Sequence, residues 1–194
     1  MTIVARWEWR TFGKGDFGEA EKALSALPMD SCKKTEEEYI LSRNSGENVK
    51  IRFDLIDVKS LQNVNADGLE QWKPVLKTGF PVSKDTLNEL AEILKVQLPK
   101  LHRETYSHDQ FIDEVVKPCV ELELVKVSKN RSIYKLEGTT AEIAEAQFNG
   151  IPWRTMCIEH EDPAVIMKVV KDLGMKGAAN MNYIQAMKKS VGMA

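Results

Sequence analysis

At 194 residues, with 43% hydrophobic and 29% charged side chains, the chain has the size and mix of one folded domain and lacks the composition of a disordered segment. Its 27 basic and 29 acidic residues leave a formal charge of −2, so there is no overall pull toward nucleic acid or an anionic membrane, and any affinity for a polyanion must come from local arrangement. Cys32, Cys119 and Cys157 are too few and too widely spaced for a disulfide framework or a close-paired zinc motif, and free thiols suit a reducing compartment. No apolar run approaches the ~20 residues that span a bilayer. The N-terminal stretch carries Arg6, Glu8 and Arg10 where a signal peptide would be apolar, so the expected location is cytoplasmic.

In chain order, residues 2–12 read as a strand, alternating in polarity from Ala5 onward. Asp16 with Glu19 three residues later opens a helix to about Leu27. Residues 38–43 and 49–58 are the next strands, separated by the turn signal Asn44-Ser45-Gly46, and residues 72–80 read as a loop. Ser83 caps a helix whose apolar stripe is Leu87, Leu90, Ala91, Leu94 and Leu98. Ser107 and Gln110 form a capping box for a short helix that ends before Pro118. Strand-like stretches follow at 120–127, 132–137, 141–148 and 153–161. Asp162-Pro163 starts a helix that Gly174 ends, and a last short helix begins near Asn182. Strands in runs with helices between them imply an α+β fold with a mainly antiparallel sheet, and no phosphate-binding glycine loop is present.

Charge is concentrated on single strand faces. Residues two apart share a face, so Arg6, Glu8 and Arg10 lie opposite Trp7 and Trp9, and Lys50 and Arg52 lie opposite Ile51 and Phe53. Glu121 and Glu123, then Lys129 and Arg131, and finally Glu159 and Glu161 repeat the spacing. A one-sided antiparallel sheet with a solvated face would show the same alternation. Two features favour a barrel that is charged inside and apolar outside: the helices are amphipathic enough to cover the apolar faces, and the charged residues are long Arg, Lys and Glu. Burying such cations costs several kcal/mol each unless carboxylates or a bound anion compensate, and grouped carboxylates in turn suit Mg2+ or Mn2+.

These residues resemble the CYTH-type proteins of the triphosphate tunnel metalloenzyme superfamily. That family opens on Glu-x-Glu-x-Lys, which Arg6, Glu8 and Arg10 match with arginine in the first place. Lys50 and Arg52, then Lys129-x-Arg131 with Tyr134, resemble its basic strands. Glu159 and Glu161 match its late acidic pair, and Asn182-Tyr183 stands in the place of a Ser-Tyr motif. The resemblance implies an eight-stranded antiparallel β-tunnel with helices packed outside, a triphosphate substrate, and Mg2+ or Mn2+. On it, Arg6, Arg10, Lys50, Arg52, Lys77, Lys129 and Arg131 would hold phosphate oxygens, while Glu8, Glu159 and Glu161 would hold metal. Glu8, Glu121 and Glu123 would be the candidate catalytic carboxylates. Arginine at position 6 weakens the metal reading and favours direct phosphate binding.

The expected function is metal-dependent hydrolysis of inorganic tripolyphosphate or an organic triphosphate. A non-catalytic polyphosphate-binding module and a class IV-type adenylyl cyclase stay open beside it. The expected partner is a small polyanion, with no nucleic acid and no membrane; a homodimer is left open. Glu36-Glu37-Glu38 reads as a solvated charge run, His102, His108 and His160 lack partners at useful spacing, and an aromatic content of 7% offers little for nucleic-acid stacking.

Overall fold

The computed structural model describes residues 5–193; Thr2, where the first strand was expected to begin, lies outside them. The strands are β1 (Trp7–Gly13), β2 (Met29–Ser42), β3 (Ser45–Arg52), β4 (Leu55–Val64), β5 (Glu70–Gly79), β6 (Val82–Ser83), β7 (Thr105–Tyr106), β8 (Leu122–Leu136), β9 (Thr139–Phe148) and β10 (Ile151–His160). The helices are α1 (Gly18–Ser25), α2 (Lys84–Leu94), α3 (His108–Phe111, continued by a π-helical turn to Val116), α4 (Pro163–Asp172) and α5 (Tyr183–Ser190). Eight strands close into an antiparallel barrel in the order β1-β10-β9-β8-β2-β3-β4-β5, and β6 and β7 form a separate small ribbon.

Closure depends on few bonds at one seam. Among the described residues, β5 meets β1 only through Trp7↔Gln71 and Glu8↔Glu70. Beyond that pair, the segment leading into α5 takes over: Arg10 N–H donates to Asn180 Oδ1 at 2.7 Å, and Met181 N–H donates to the Arg10 carbonyl at 2.7 Å. The backbone groups that a sheet edge would leave bare are thereby satisfied.

Helix starts follow local chemistry except at α1, expected to open at Asp16, where Phe17 holds the cap position with no side-chain bond. Ser83 Oγ accepts from Thr86 N–H, the Ser107/Gln110 capping box is present, and Asp162 accepts from Ala164 N–H with proline next in the chain. Gly174 has a φ of +72° past the end of α4. Asn182 and Gln185 form a second capping box at α5.

Strand boundaries depart from the sequence reading in four places. The strand expected at 38–43 is the end of β2, which begins at Met29 because its first half pairs with β8. Residues 49–58 are two strands, joined by the two-residue turn Phe53-Asp54, where both residues have positive φ. The expected strands at 120–127 and 132–137 are one continuous strand, β8 (Leu122–Leu136), because the polar stretch around Lys129 pairs with β2 on one side and β9 on the other. The expected loop at 72–80 is β5; its alternation is broken where Val58↔Leu76 gives way to Lys59↔Pro74, a bulge that turns the following side chains over.

Two apolar clusters lie outside the barrel wall. α2 and the α3 segment cover Val49, Ile51, Ile56 and Val58, while α1 and α4 cover Trp9, Ile143, Met156 and Ile158. A third cluster is inside. Leu41, Val125, Val127, Phe148 and Trp153 pack against Ile184 and Met187 of α5, with Phe12 and Tyr183 beside them. α5 therefore seals one end of the barrel, the end where β2 and β9 finish and β3, β8 and β10 begin. Among the described residues, the charged half opens at the other end, where β3 turns into β4.

Candidate functional site

The charged half of the barrel encloses a cavity of about 270 Å3. Each strand contributes alternate side chains, so the wall is apolar outward and ionic inward. Arg10, Lys50, Arg52, Lys59, Lys129 and Arg131 face Glu8, Glu37, Asp57, Glu142 and Glu159 across it.

Two buried carboxylates organise the cations. Glu37 accepts from Lys129 Nζ at 2.6 Å, from Arg52 Nη1 at 3.1 Å and from the Tyr39 hydroxyl at 3.0 Å, with Lys50 Nζ 4.0 Å away. Glu142 accepts from Arg10 Nη1 at 3.1 Å and from Arg131 Nε at 2.7 Å. Burial works against the charge on Glu37, but Lys129 and Lys50 overcome it and hold the carboxyl at about 2. Burial likewise draws Lys129 down to about 8, against the opposing pull of Glu37. Glu142 is held below the ordinary range by Arg10 and Arg131 despite its burial.

A second kind of arrangement lies nearer the mouth. Glu8 and Glu159 are direct neighbours across β1 and β10, with Cys157 one inward position deeper. Ligand atoms of Glu8, Cys157 and Glu159 all lie within 4.8 Å of one another. Burial, and then the adjacent Glu8 carboxylate, raise the Glu159 carboxyl above its ordinary value. Two carboxylates at this separation call for a shared proton or a cation, and a divalent ion with oxygen ligands fits the pair. Arg10 Nε also donates to Glu8 at 2.8 Å, so one cation already sits against that carboxylate.

Some polar atoms have no protein partner. Asn48 Oδ1 and the Tyr183 hydroxyl are buried in the lining and bond to nothing among the described residues. Neighbouring groups are satisfied: Asn182 Nδ2 donates to Glu70 at 2.9 Å and Trp72 Nε1 donates to the same carboxylate at 3.0 Å. Both are unsatisfied polar atoms in the cavity wall.

Of the residues singled out from the sequence, Glu8, Arg10, Lys50, Arg52, Lys129, Arg131 and Glu159 line this cavity. Five others do not. Arg6 precedes β1, exposed, and donates to Thr140 Oγ1 at 3.3 Å. Lys77 pairs with Asp57 in register but is exposed and outside the lining. Glu121 accepts from the Cys119 thiol at 3.4 Å ahead of β8. Glu123 is exposed at the sealed end, cut off from Lys129 by the apolar plug containing Val125 and Val127. Glu161 lies past the end of β10 and is exposed.

The sequence reading missed Glu37, Asp57, Lys59 and Glu142. Glu37 belongs to the supposed solvated run, yet in a strand the middle of three glutamates points opposite to its neighbours, and here that direction is inward. Glu142 stands among Ala141, Ile143 and Ala144, a single carboxylate in an apolar strand, which was the available signal.

No protein-family model matches the sequence, and no curated protein matches it. Among solved structures the chain is similar to a Hippeastrum protein assigned as an adenylyl cyclase and described as having a dominant triphosphatase activity, at 12% identity and a TM-score of 0.55, over 95% of this chain and 96% of that one. It is also similar to a Bacillus halodurans protein assigned as an adenylate cyclase, at 14% identity and a TM-score of 0.50, over 95% and 98%. The chain shares with these proteins the fold of a closed eight-stranded antiparallel barrel. At such identities the likeness concerns the fold alone.

Proposed function

We propose that the protein is a divalent-metal-dependent phosphohydrolase that takes the triphosphate end of its substrate into the barrel. The observation that carries this is the convergence of Arg10, Lys50, Arg52, Lys129 and Arg131 on one cavity with a single open end. Such an array suits a short polyanion, because each phosphate oxygen can replace a carboxylate oxygen that already holds a cation. Asn48 and Tyr183 would supply further polar contacts at the depth where their atoms lack partners.

Glu8 and Glu159 would hold the divalent cation, which supplies charge neutralisation on the phosphoryl oxygens. Water adds to the terminal phosphorus, the bridging P–O bond breaks with its electron pair remaining on the leaving diphosphate, and the proton lost by water passes to a phosphate oxygen. Arg131 and Arg52, at the mouth, and Lys129, at the bottom, hold the chain in line during the displacement. Magnesium, manganese and the substrate's organic group, if any, are part of this proposal.

A second reading has its own support: non-catalytic polyphosphate binding is favoured by the Arg10–Glu8 ion pair, which ties up one of the two proposed metal carboxylates. One experiment separates the two. Purified protein is incubated with tripolyphosphate, thiamine triphosphate or ATP, with Mg2+ or Mn2+, and with Glu159→Gln as control. Released phosphate that depends on metal and disappears in the control supports the hydrolase. Thermal stabilisation by tripolyphosphate without turnover supports the binding module, and cyclic AMP would replace both with a cyclase.

A further inference from the structure

Because α5 closes one end, a triphosphate must enter phosphate-first, and whatever is attached to it stays at the mouth. The mouth is where β3 turns into β4, and there the chain places an aromatic side chain against local preference. Phe53 has a φ of +52° and Asp54 a φ of +58°, the geometry of a type I′ turn. The barrel's other two-residue turns of this kind, Glu137-Gly138 and Asn149-Gly150, use glycine in the second place, as this geometry favours. The Phe53-Asp54 turn has none, and a bulky residue in the left-handed region is strained. Packing offers no compensation, since Phe53 is 81% exposed.

Its surroundings suit a flat ligand. The Arg52 guanidinium lies 5.6 Å from the Phe53 ring centroid while its Nη1 reaches Glu37 inside the cavity, so one side chain links the ring to the phosphate site. Beside the mouth is a shallow, mostly charged depression of about 400 Å3 that holds Phe53 next to Glu36, Glu38 and Lys126 and shares Arg52 and Glu37 with the cavity. The exposed Phe53 ring and hydrogen-bonding groups thus adjoin the point where the phosphate nearest the mouth would end.

We propose that Phe53 is a specificity-determining residue, whose ring stacks on the planar heteroaromatic group of an organic triphosphate. The assignment rests on the phosphate reading of the cavity and narrows it from any triphosphate to those carrying a flat base or ring. Arg52 completes the stack from the phosphate side, as guanidinium groups do on aromatic faces.

The test is calorimetric binding of tripolyphosphate, ATP and thiamine triphosphate to the wild type, Phe53→Asn and Phe53→Trp, without divalent metal so that nothing turns over. Asparagine tolerates positive φ, so Phe53→Asn is expected to melt at or above the wild-type temperature. The quantity read is the ratio of organic to inorganic affinity. It is expected to fall about tenfold in Phe53→Asn for at least one organic triphosphate and to be kept or raised in Phe53→Trp. Tripolyphosphate affinity is expected to stay within about twofold in all three proteins. If tripolyphosphate binds but the ratio is the same in Phe53→Asn, the Phe53 assignment is overturned and the phosphate site stands. A change in oligomeric state with an unchanged ratio overturns it too, making Phe53 a contact between copies. If no triphosphate binds the wild type, the phosphate reading itself fails.

Discussion

Glu37→Gln is the substitution that probes the interior most directly. The wild-type carboxyl is held at about 2 against an ordinary 4.5, so its interactions with Lys129, Lys50 and Arg52 are stronger for the charged form. At about 1.4 kcal/mol per pH unit the difference amounts to about 3 kcal/mol. The sign follows from linkage: a carboxylate depressed on folding contributes stability that is full above pH 4.5 and is lost as pH falls through about 2. Glutamine keeps the shape and removes the charge, leaving Lys129 buried without its counter-ion. Urea unfolding followed by circular dichroism should therefore show the variant about 3 kcal/mol less stable at pH 7, with about 2 kcal/mol of that gap gone by pH 3. Other carboxylates titrate in both proteins and cancel in the difference. Tripolyphosphate at neutral pH should recover part of the gap, because its oxygens can occupy the position the carboxylate charge has left. A gap under about 1 kcal/mol, or one that does not change with pH, would refute the idea that Glu37 is the hub of a dry ionic cluster.

Lys129 is held at about 8, so it loses its charge as pH rises through that value, and tripolyphosphate affinity should fall about tenfold above it; Lys129→Arg, which stays charged, should abolish that fall in a calorimetric titration. Glu159→Gln should lower metal-dependent phosphate release by about 10²–10⁴-fold while tripolyphosphate still raises the melting temperature, and retention of turnover would remove Glu159 from the metal site. Met187, fully buried where α5 plugs the barrel, should cost about 2–5 kcal/mol when cut to alanine, measured by urea unfolding. A smaller loss would mean that α5 is only loosely seated.

Much of this molecule is legible one strand at a time. The period of two along each strand separates Glu8 and Arg10 from Trp7 and Trp9, and Lys50 and Arg52 from Ile51, before any tertiary contact is known. Capping chemistry at Ser83, Ser107, Asp162 and Asn182 is equally local, and each of those helices begins at the cap its sequence announces. Local signals fail where a neighbour decides. The strand pairing of β8 with both β2 and β9 carries the chain straight through Lys129–Arg131, whose polarity suggests a turn. No helix among the described residues is long and apolar enough to cross a membrane, as the composition implied.

Alternation states which side chains share a face; it does not state whether that face meets water or other strands. Only closure of β5 onto β1 turns the ionic faces toward each other, and only α5 makes the enclosed space blind at one end. The same closure selects among chemically identical residues: Glu37 and Glu142 become hubs of buried ion pairs while Glu121, Glu123 and Glu161, equally acidic and equally spaced, remain outside the cavity. An ionisable group takes its role from the distance and dielectric around it, and both are properties of the assembled barrel.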